Sequence, residues 1–435
     1  MSFCRFCVII VCESFDGRVL MKRLIFHVDV NSAFLSWEAT KRVREGREDI
    51  RLIPSIIGGD RESRRGVVLA KSVPAKKYGI RTGEPVAAAL RKCPQLYIAE
   101  VDHGLYESCS RAFADMCGKY APVLEQFSVD ECFLDMSGTA LIYPDPIATA
   151  YELKNRIRDE LGFTVNIGIS DCKVLAKMAS DFEKPDKVHT LFRNEIEEKM
   201  WPLPVGELFT VGAATAERLA RVNIKTIGDL AKTDPATLRS ILGDKLSDHL
   251  HRYANGIDES SVSGEPEQAK GYRVSTTLPR DITDMADAEK VLFELTDSVA
   301  SRMRHEGAKT TCISVTVRSN DFKDRSHQRK LNVPTDITLE IFSVTKSLMA
   351  ELWKSRVPLR LIGVALTGIT RDEPIQIGLF DDEKREKDRR VDKTLDDIRH
   401  KFGMSSIMRA SSYRSDHKVG EKYKARTEAD SSEDE

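Results

Sequence analysis

The sequence predicts an α/β multi-domain fold, and three observations lead to that expectation. Strand-like apolar runs alternate with helical periodicity from Arg23 to Phe182, and a Ser/Glu/Gly-rich stretch at 259–271 then has the composition of a linker. Beyond it the order strand, helix, strand, strand, helix, strand matches a split βαβ sandwich. At 435 residues the chain is also too long for one core of ordinary size.

Residues 23–30 (RLIFHVDV) are apolar and β-rich, and Asn31 and Ser32 offer helix N-cap chemistry before AFLSWEATKRV. Asp29 therefore stands at a strand-to-helix junction. Residues 51–95 mix short strands (IPSIIGG, GVVLA) with a basic, Gly-punctuated helical stretch (PAKKYGIRTG) and read as a small α/β insertion. Leu105 to Tyr120 is helical, and EQFSVDECFLDMSG reads as two short strands meeting near Asp130 and Glu131. A helix over 145–161, the strand TVNIGIS and the helix KVLAKMASDF follow, closed by Glu183, Lys184 and Pro185. The segment LPVGELFTVGAATAERLARVNIKTIGDLA holds short helices separated by tight turns.

In the split βαβ region the strands fall at 272–277, 310–318, 327–333 and 359–368, with helices at 284–305 and 338–354. Val291, Leu295, Val299 and Met303 on one helix, and Ile341, Val344, Leu348 and Leu352 on the other, have core-facing spacing. After Thr370 the chain turns polar, and Val391, Leu395, Ile398 and Phe402 mark one more amphipathic helix before an acidic end.

Composition narrows the function classes. A hydrophobic fraction of 41% with 31% charged residues is that of a globular protein, and no apolar run is long enough to span a bilayer. The first twenty residues carry a short apolar run from Cys7 to Cys12 without a cleavage site, and are expected to be an extension outside the fold rather than an export signal. Nine cysteines without paired spacing fit a reducing cytoplasm, and the Cys4/Cys7 pair lacks the second pair that a zinc site needs. The net charge of −1 conceals a local basic stretch: between Arg302 and Lys330 eight basic residues face three acidic ones.

The chemistry-bearing residues are carboxylates. Asp29 ends one strand, and Asp130 with Glu131 sits where two others meet. Hard oxygen ligands favour magnesium or manganese over zinc. Adjacent strand residues point to opposite faces, so Asp130 and Glu131 can serve one metal pair only if the backbone turns between them. Three converging carboxylates repel one another unless cations neutralise them, which is the electrostatic case for a two-metal phosphoryl-transfer site. Residue types alone leave the alternative open, since an Asp at a strand end also serves as a helix cap and an Asp-Glu pair as a solvated turn.

The strings FHVDVNSAFLSWE, VVLAKSVPAKKYGIRTGEP, FSVDECFLDMSG and NIGISDCKVLAKMASDFEKPDK, in this order, resemble the signature blocks of Y-family DNA polymerases, nearest to the DinB or DNA polymerase IV type. The resemblance runs from Met21 to about Ala410. It implies a palm with a mixed sheet over 21–31 and 100–188, small fingers over 32–99, and a helix-hairpin-helix thumb over 189–258. A linker over 259–271, a split-βαβ little finger over 272–371 and a tail over 372–435 would complete the chain.

The same resemblance implies template-directed, error-prone DNA synthesis past lesions on two Mg2+ ions, with Mn2+ as a substitute. Asp29, Asp130 and Glu131 would be the metal ligands, joined by the Val30 carbonyl, and no leftover segment could house a proofreading exonuclease. Phe34 matches the steric gate against a 2'-hydroxyl; packing on an amphipathic helix would look the same in sequence. Lys76 stands where the family has an Arg on the triphosphate and Lys184 matches a second phosphate lysine. Val73 replaces the usual Tyr, which leaves Lys71 as a substitute contact and alters the grip, because Lys is a point charge without a bidentate fork.

Gly212 and Thr215, in VGAAT, match the thumb's DNA-phosphate turn. Ser314, Thr316 and Arg318 alternate with Ile313, Val315 and Val317, giving a polar sheet face that would lie along the duplex. Gln376, Ile377, Leu379 and Phe380 resemble a sliding-clamp tether, Ile377 departing mildly from the usual Leu. Primer-template DNA, deoxynucleoside triphosphates and the clamp are the expected partners of a cytoplasmic monomer without membrane contact. A palm-type nucleotide cyclase and a non-catalytic DNA- and clamp-binding factor are the competing readings.

Overall fold

The computed structural model describes residues 23–59, 66–265, 268–354, 357–371, 382–403 and 406–409, together with a two-residue antiparallel pair, Ser14–Phe15 with Arg18–Val19. The chain divides into two compact units. One comprises residues 1–57, 68–82 and 89–266, the other 58–67, 83–88 and 267–435.

In chain order, β1 (Ile25–Val30) leads into α1 (Ala33–Arg44), and β2 (Ser55–Gly58), β3 (Val68–Lys71), α2 (Val73–Lys76), α3 (Val86–Lys92) and β4 (Tyr97–Ala99) follow. Next come α4 (His103–Gly118), β5 (Val123–Gln126), β6 (Glu131–Asp135), α5 (Pro146–Arg156), β7 (Val165–Ser170), α6 (Lys173–Ser180) and β8 (Val188–Thr190). The main sheet has the order β8-β7-β1-β6-β5, and β3-β2-β4 forms a smaller one. In the main sheet only the β8–β7 pair is parallel, so the sheet is mixed, as expected.

Every residue of β1 and of β7 is buried, which explains their nearly unbroken apolar runs: both sheet faces are covered. Helix α6 lies against β7 at Gly168, where a Cβ would stand 2.0 Å from the Ala176 carbonyl, so only glycine allows the approach. Polar side chains then fix the loop after α6. Asn166 donates to the Ser180 and Glu183 carbonyls and accepts from Asn31 and the Lys187 N–H, while Asn31 accepts the Asp186 N–H.

Ser32 does not cap α1 as its sequence position suggested. It adopts a left-handed conformation (φ 50°) without a side-chain cap bond, and Asn31 is engaged by Asn166 and Asp186 instead. The thumb-like stretch forms α7 (Ile196–Lys199), α8 (Ala213–Ala220), α9 (Ile227–Lys232), α10 (Pro235–Leu242) and α11 (Asp244–Ala254) around an apolar core that also takes in Val174, Leu175 and Met178 of α6. The start of the expected linker is tied down: Asp258, just before it, accepts the Val174 N–H at the start of α6, and Glu125 of β5 accepts the Ser263 N–H.

The second unit contains β9 (Gly271–Ile282), α12 (Met285–His305), β10 (Lys309–Ser319), β11 (Asp324–Thr335), α13 (Thr338–Leu352), β12 (Leu359–Thr370) and α14 (Asp382–Phe402). Its fully antiparallel sheet runs β9-β12-β10-β11, so β12 separates the two parallel strands joined by α12, which is the split βαβ arrangement. Val291, Leu295, Val299, Met303, Ile341 and Leu348 are buried; Val344 and Leu352 pack at the core's margin.

The final helix departs from its pattern. α14 buries Asp392 and Arg399 rather than its apolar stripe, and Val391, Leu395 and Ile398 line an open groove with Ile407. Its buried side is ionic: Arg304 meets Asp396 at 2.7 Å and Asp392 at 3.5 Å, and Arg399 meets Asp297 at 2.6 Å. Arg409 pairs with Asp392 as well, and Asp392 accepts the Thr338 N–H, supplying from another helix the cap that α13 lacks.

Candidate active site

Strand alternation puts His27 and Asp29 on one face of β1. Glu131 opens β6 directly across from Asp29 in the antiparallel register. Asp130 lies in the bend that ends the β5–β6 turn, and its carbonyl accepts the Val30 N–H at 2.9 Å. The change from bend to strand between Asp130 and Glu131 is the kind of backbone break the sequence pattern required.

Two lysines meet these acids. Lys177, on α6, holds its Nζ 3.2 Å from Asp29 Oδ2, 3.1 Å from Glu131 Oε2 and 3.3 Å from Asp181 Oδ2, with its side chain 9% exposed. Lys184 sits 3.1 Å from Asp29 Oδ1 and 2.8 Å from Asp181 Oδ1. The Asp130 carboxylate instead accepts the Ser128 hydroxyl at 2.7 Å. Among the described residues no group of three or more His, Cys, Asp or Glu side chains is gathered around a point that could hold a metal ion. Asp29 and Glu131 are thus brought to one cation, and Asp130 is their neighbour.

Fully buried His27 places Nε2 3.2 Å from Glu131 Oε2 and Nδ1 2.8 Å from Ser180 Oγ. Burial lowers the pKa of the ring, and because a carboxylate can only accept, Nε2 carries the proton that faces Glu131. Burial by itself would raise Glu131, yet the His27 hydrogen bond and the Lys177 charge bring it down to about 2. Asp130 moves the other way: burial raises it, the Asp29 and Glu131 charges add to that, and the Ser128 bond only partly opposes them. Lys177 loses to burial but gains more from Asp29, Asp181 and Glu131, so its ammonium stays charged.

Three carboxylates, Asp29, Glu131 and Asp181, share the two ammonium groups of Lys177 and Lys184, and Asp130 stands beside them on the Ser128 hydroxyl, so the cluster keeps a local excess of negative charge. All the candidate donors are hard oxygens, and the one nearby imidazole is committed to Glu131. That donor set fits magnesium or manganese.

The other expected site residues are distributed around this cluster or elsewhere. Phe34, in the first turn of α1, is half-buried on an aromatic platform, 4.7 Å from Tyr106 and 5.8 Å from Trp37 between ring centroids. Lys76 ends α2 exposed to solvent, and Lys71 ends β3 with Nζ 3.2 Å from Thr82 Oγ1. Gly212 is the exposed N-cap of α8, with open space where a Cβ would be, and Thr215 is half-buried in the first turn.

Ser314, Thr316 and Arg318 form the half-buried face of β10, opposite buried Ile313, Val315 and Val317, as alternation required. The basic character expected around them is reduced, because Arg318 is held by Asp324, Lys323 by Asp321 and Arg329 by Glu351, while Arg304 lies inside the α14 contact. Gln376, Ile377, Leu379 and Phe380 lie outside the described residues.

Three contributors went unrecognised in the sequence: His27, Lys177 and Asp181. Signals existed, since His27 precedes Asp29 by one strand repeat, and Lys177, Asp181 and Lys184 follow one another at helical spacings of four and three.

Comparison with known proteins identifies the family. The impB/mucB/samB family matches residues 28–181, its C-terminal domain matches 269–379, and the thumb domain of DNA polymerase-iota matches 206–258. The DNA polymerase IV of Clostridium acetobutylicum is 44% identical over 394 residues, covering 90% of this chain and 98% of that protein. The DNA polymerase IV of Acetivibrio thermocellus is 36% identical over 393 residues, covering 89% and 97%. A solved Y-family DNA polymerase chimera superposes with a TM-score of 0.69 at 22% identity, over 80% of this chain and all of the chimera, a likeness of fold. The chain belongs to the impB/mucB/samB family and, within it, to the Y-family DNA polymerases of the DinB type.

Proposed function

We propose that this DNA-directed DNA polymerase of the translesion class extends a primer 3'-hydroxyl at a two-magnesium site built from Asp29, Asp130 and Glu131, with manganese able to replace magnesium. The supporting observation is the convergence of Asp29 and Glu131 on one buried cation inside a cluster whose acids outnumber its bases. Bound there, the ions would supply Lewis acidity to the attacking hydroxyl and to the departing pyrophosphate. The protein's own part is positional. His27 orients Glu131 and keeps it ionised, and the Asn31–Asn166 pair fixes the loop carrying Lys184, whose ammonium can meet a triphosphate next to Asp29.

Phe34 would act as the steric gate, its ring colliding with a 2'-hydroxyl, and Lys76 and Lys71 would add point charges for the triphosphate. The exposed N–H groups after Gly212, with Thr215, suit a DNA phosphate. Ser314, Thr316 and Arg318 suit the duplex backbone once Arg318 exchanges Asp324 for phosphate. Gln376, Ile377, Leu379 and Phe380 would tether the enzyme to a sliding clamp. The chain would act as a cytoplasmic monomer without proofreading; no helix among the described residues is long and apolar enough to cross a membrane. The matches to the thumb and to the family's C-terminal domain disfavour a nucleotide cyclase.

Primer extension with Mg2+ on intact and lesion-bearing templates tests the reading. The parent extends both, and Asp29→Ala and Asp130→Ala extend neither. Extension that survives Asp130→Ala would remove the metal assignment.

A further inference from the structure

We propose that Lys177 is an internal counter-ion that competes with divalent metal for Asp29 and Glu131 and holds the two carboxylates converged in the metal-free enzyme. The inference rests on the metal seat proposed above and names a regulator of it. Three observations point to it. The Lys177 ammonium lies within 3.3 Å of three separate carboxylates, and it is the cation shared by Asp29 and Glu131. Its position is built rather than incidental: the Gly168 contact brings α6 against β7, and Ser180, three residues further along the helix and so less than one turn beyond, closes the same wall against His27. Finally, the side chain is buried, so the ammonium cannot be replaced by water without leaving two facing carboxylates in a poorly screened site.

A metal ion bound between Asp29 and Glu131 would stand against this ammonium, and like charges at that distance repel strongly. The ammonium must then give up those two acids. Asp181, four residues along the same helix and 3.3 Å away, is the partner that remains to it, and its side chain is 42% exposed, so that end of the cluster reaches solvent. Lys177 is therefore a positioning residue. It neutralises and aligns the acids until metal arrives, and it weakens metal binding by competing for the same oxygens. Without it the acids would repel one another in the empty site but bind a cation more tightly.

The test measures Mn2+ binding to the full chain without DNA or nucleotide, by the electron paramagnetic resonance signal of free Mn2+. Lys177→Met should bind Mn2+ at least about tenfold more tightly than the parent, because one competing positive charge has gone, whereas Lys177→Arg should stay within a few-fold of the parent. Unchanged or weaker binding by Lys177→Met overturns the inference. Asp29→Asn separates the two levels: if it binds Mn2+ as well as the parent, the metal seat itself is wrong and the inference falls with it.

Thermal unfolding of the metal-free proteins gives an independent reading. Lys177→Met should melt below the parent, and the double variant Lys177→Met/Glu131→Gln should recover part of that loss by removing one of the charges left facing each other. A double variant no more stable than Lys177→Met would contradict a counter-ion role.

Discussion

Two ionic clusters in this protein are built to opposite rules. Beneath α14, three aspartates (Asp297, Asp392 and Asp396) meet three arginines (Arg304, Arg399 and Arg409), so the charges balance and planar guanidinium groups can satisfy several acceptors at once. At the end of β1, three carboxylates share two lysines with a fourth, Asp130, beside them on Ser128, and two of the acids are displaced from ordinary proton affinity in opposite directions, Glu131 down and Asp130 up. A balanced buried network fixes one element on another. An unbalanced one held by flexible point charges keeps negative charge to spare, which in the proposed function a divalent cation would neutralise.

The difference can be broken from either side. The largest effect is expected at the unbalanced cluster: Asp130→Asn should lower primer extension by about a thousandfold or more, the worth of several kcal/mol of metal-borne charge stabilisation. The same substitution should raise the melting temperature of the metal-free protein at pH 7, since an acid whose pKa is raised by folding weakens the fold once it ionises. A fall in both quantities would mean that Asp130 is a structural residue.

At the balanced cluster the ranking reverses. Asp392→Ala leaves Arg304 and Arg409 without that partner and Thr338 without its cap, and should cost about 3 kcal/mol or more in unfolding free energy. Single-nucleotide incorporation by the folded fraction should remain within a few-fold of the parent. Denaturant titration paired with active-site titration reads both quantities.

Glu131 gives a third test, with a definite sign. Its folded value of about 2 lies below its ordinary value of 4.5, so the stability it contributes is present above pH 4.5 and is lost as the pH falls from there towards 2. Unfolding free energy followed by denaturant titration through that window should fall more steeply for the parent than for Glu131→Gln, the difference approaching roughly 3 kcal/mol. Parallel curves would show that the His27 and Lys177 contacts do not hold in solution. The smallest structural effect belongs to Phe34→Ala, which removes a half-buried ring and should cost less than a core Phe, yet it should admit ribonucleotides that the parent rejects. Equal discrimination in both proteins would return Phe34 to plain packing.

Periodicity and apolar runs foretold β1, β5, β6 and β7 of the main sheet and the four strands and two long helices of the split βαβ module, though not the short strands β4 and β8, because where elements are long burial follows the strand and helix repeats closely: Val291, Leu295, Val299 and Met303 are all buried. It misjudged positions where a polar side chain has a better offer than the local rule supposes. Ser32 looked like a cap, but the backbone turns left-handed there. Arg304 looked like surface charge, but two aspartates on α14 draw it inward. The stripe of Val391, Leu395 and Ile398 looked like a buried face, yet ion pairing decides which side of α14 docks.

The candidate site divides in the same way. Asp29, Asp130 and Glu131 could be named from strand ends and from the resemblance to a family, whereas His27 and Lys177 could not. Each sits inside an apolar run that marks a core, and only the fold reveals that their polar atoms converge on the acids.

The central claim is that the β1 cluster awaits a divalent cation while the α14 cluster does not, and a magnesium titration of thermal stability tests it most directly. Adding Mg2+ to the metal-free parent should raise its melting temperature in a saturable way, since a ligand that binds only the folded state stabilises it. The rise should persist in Asp392→Ala and vanish in Asp29→Asn. An equal rise in Asp29→Asn, or none in the parent at saturating Mg2+, would contradict the account.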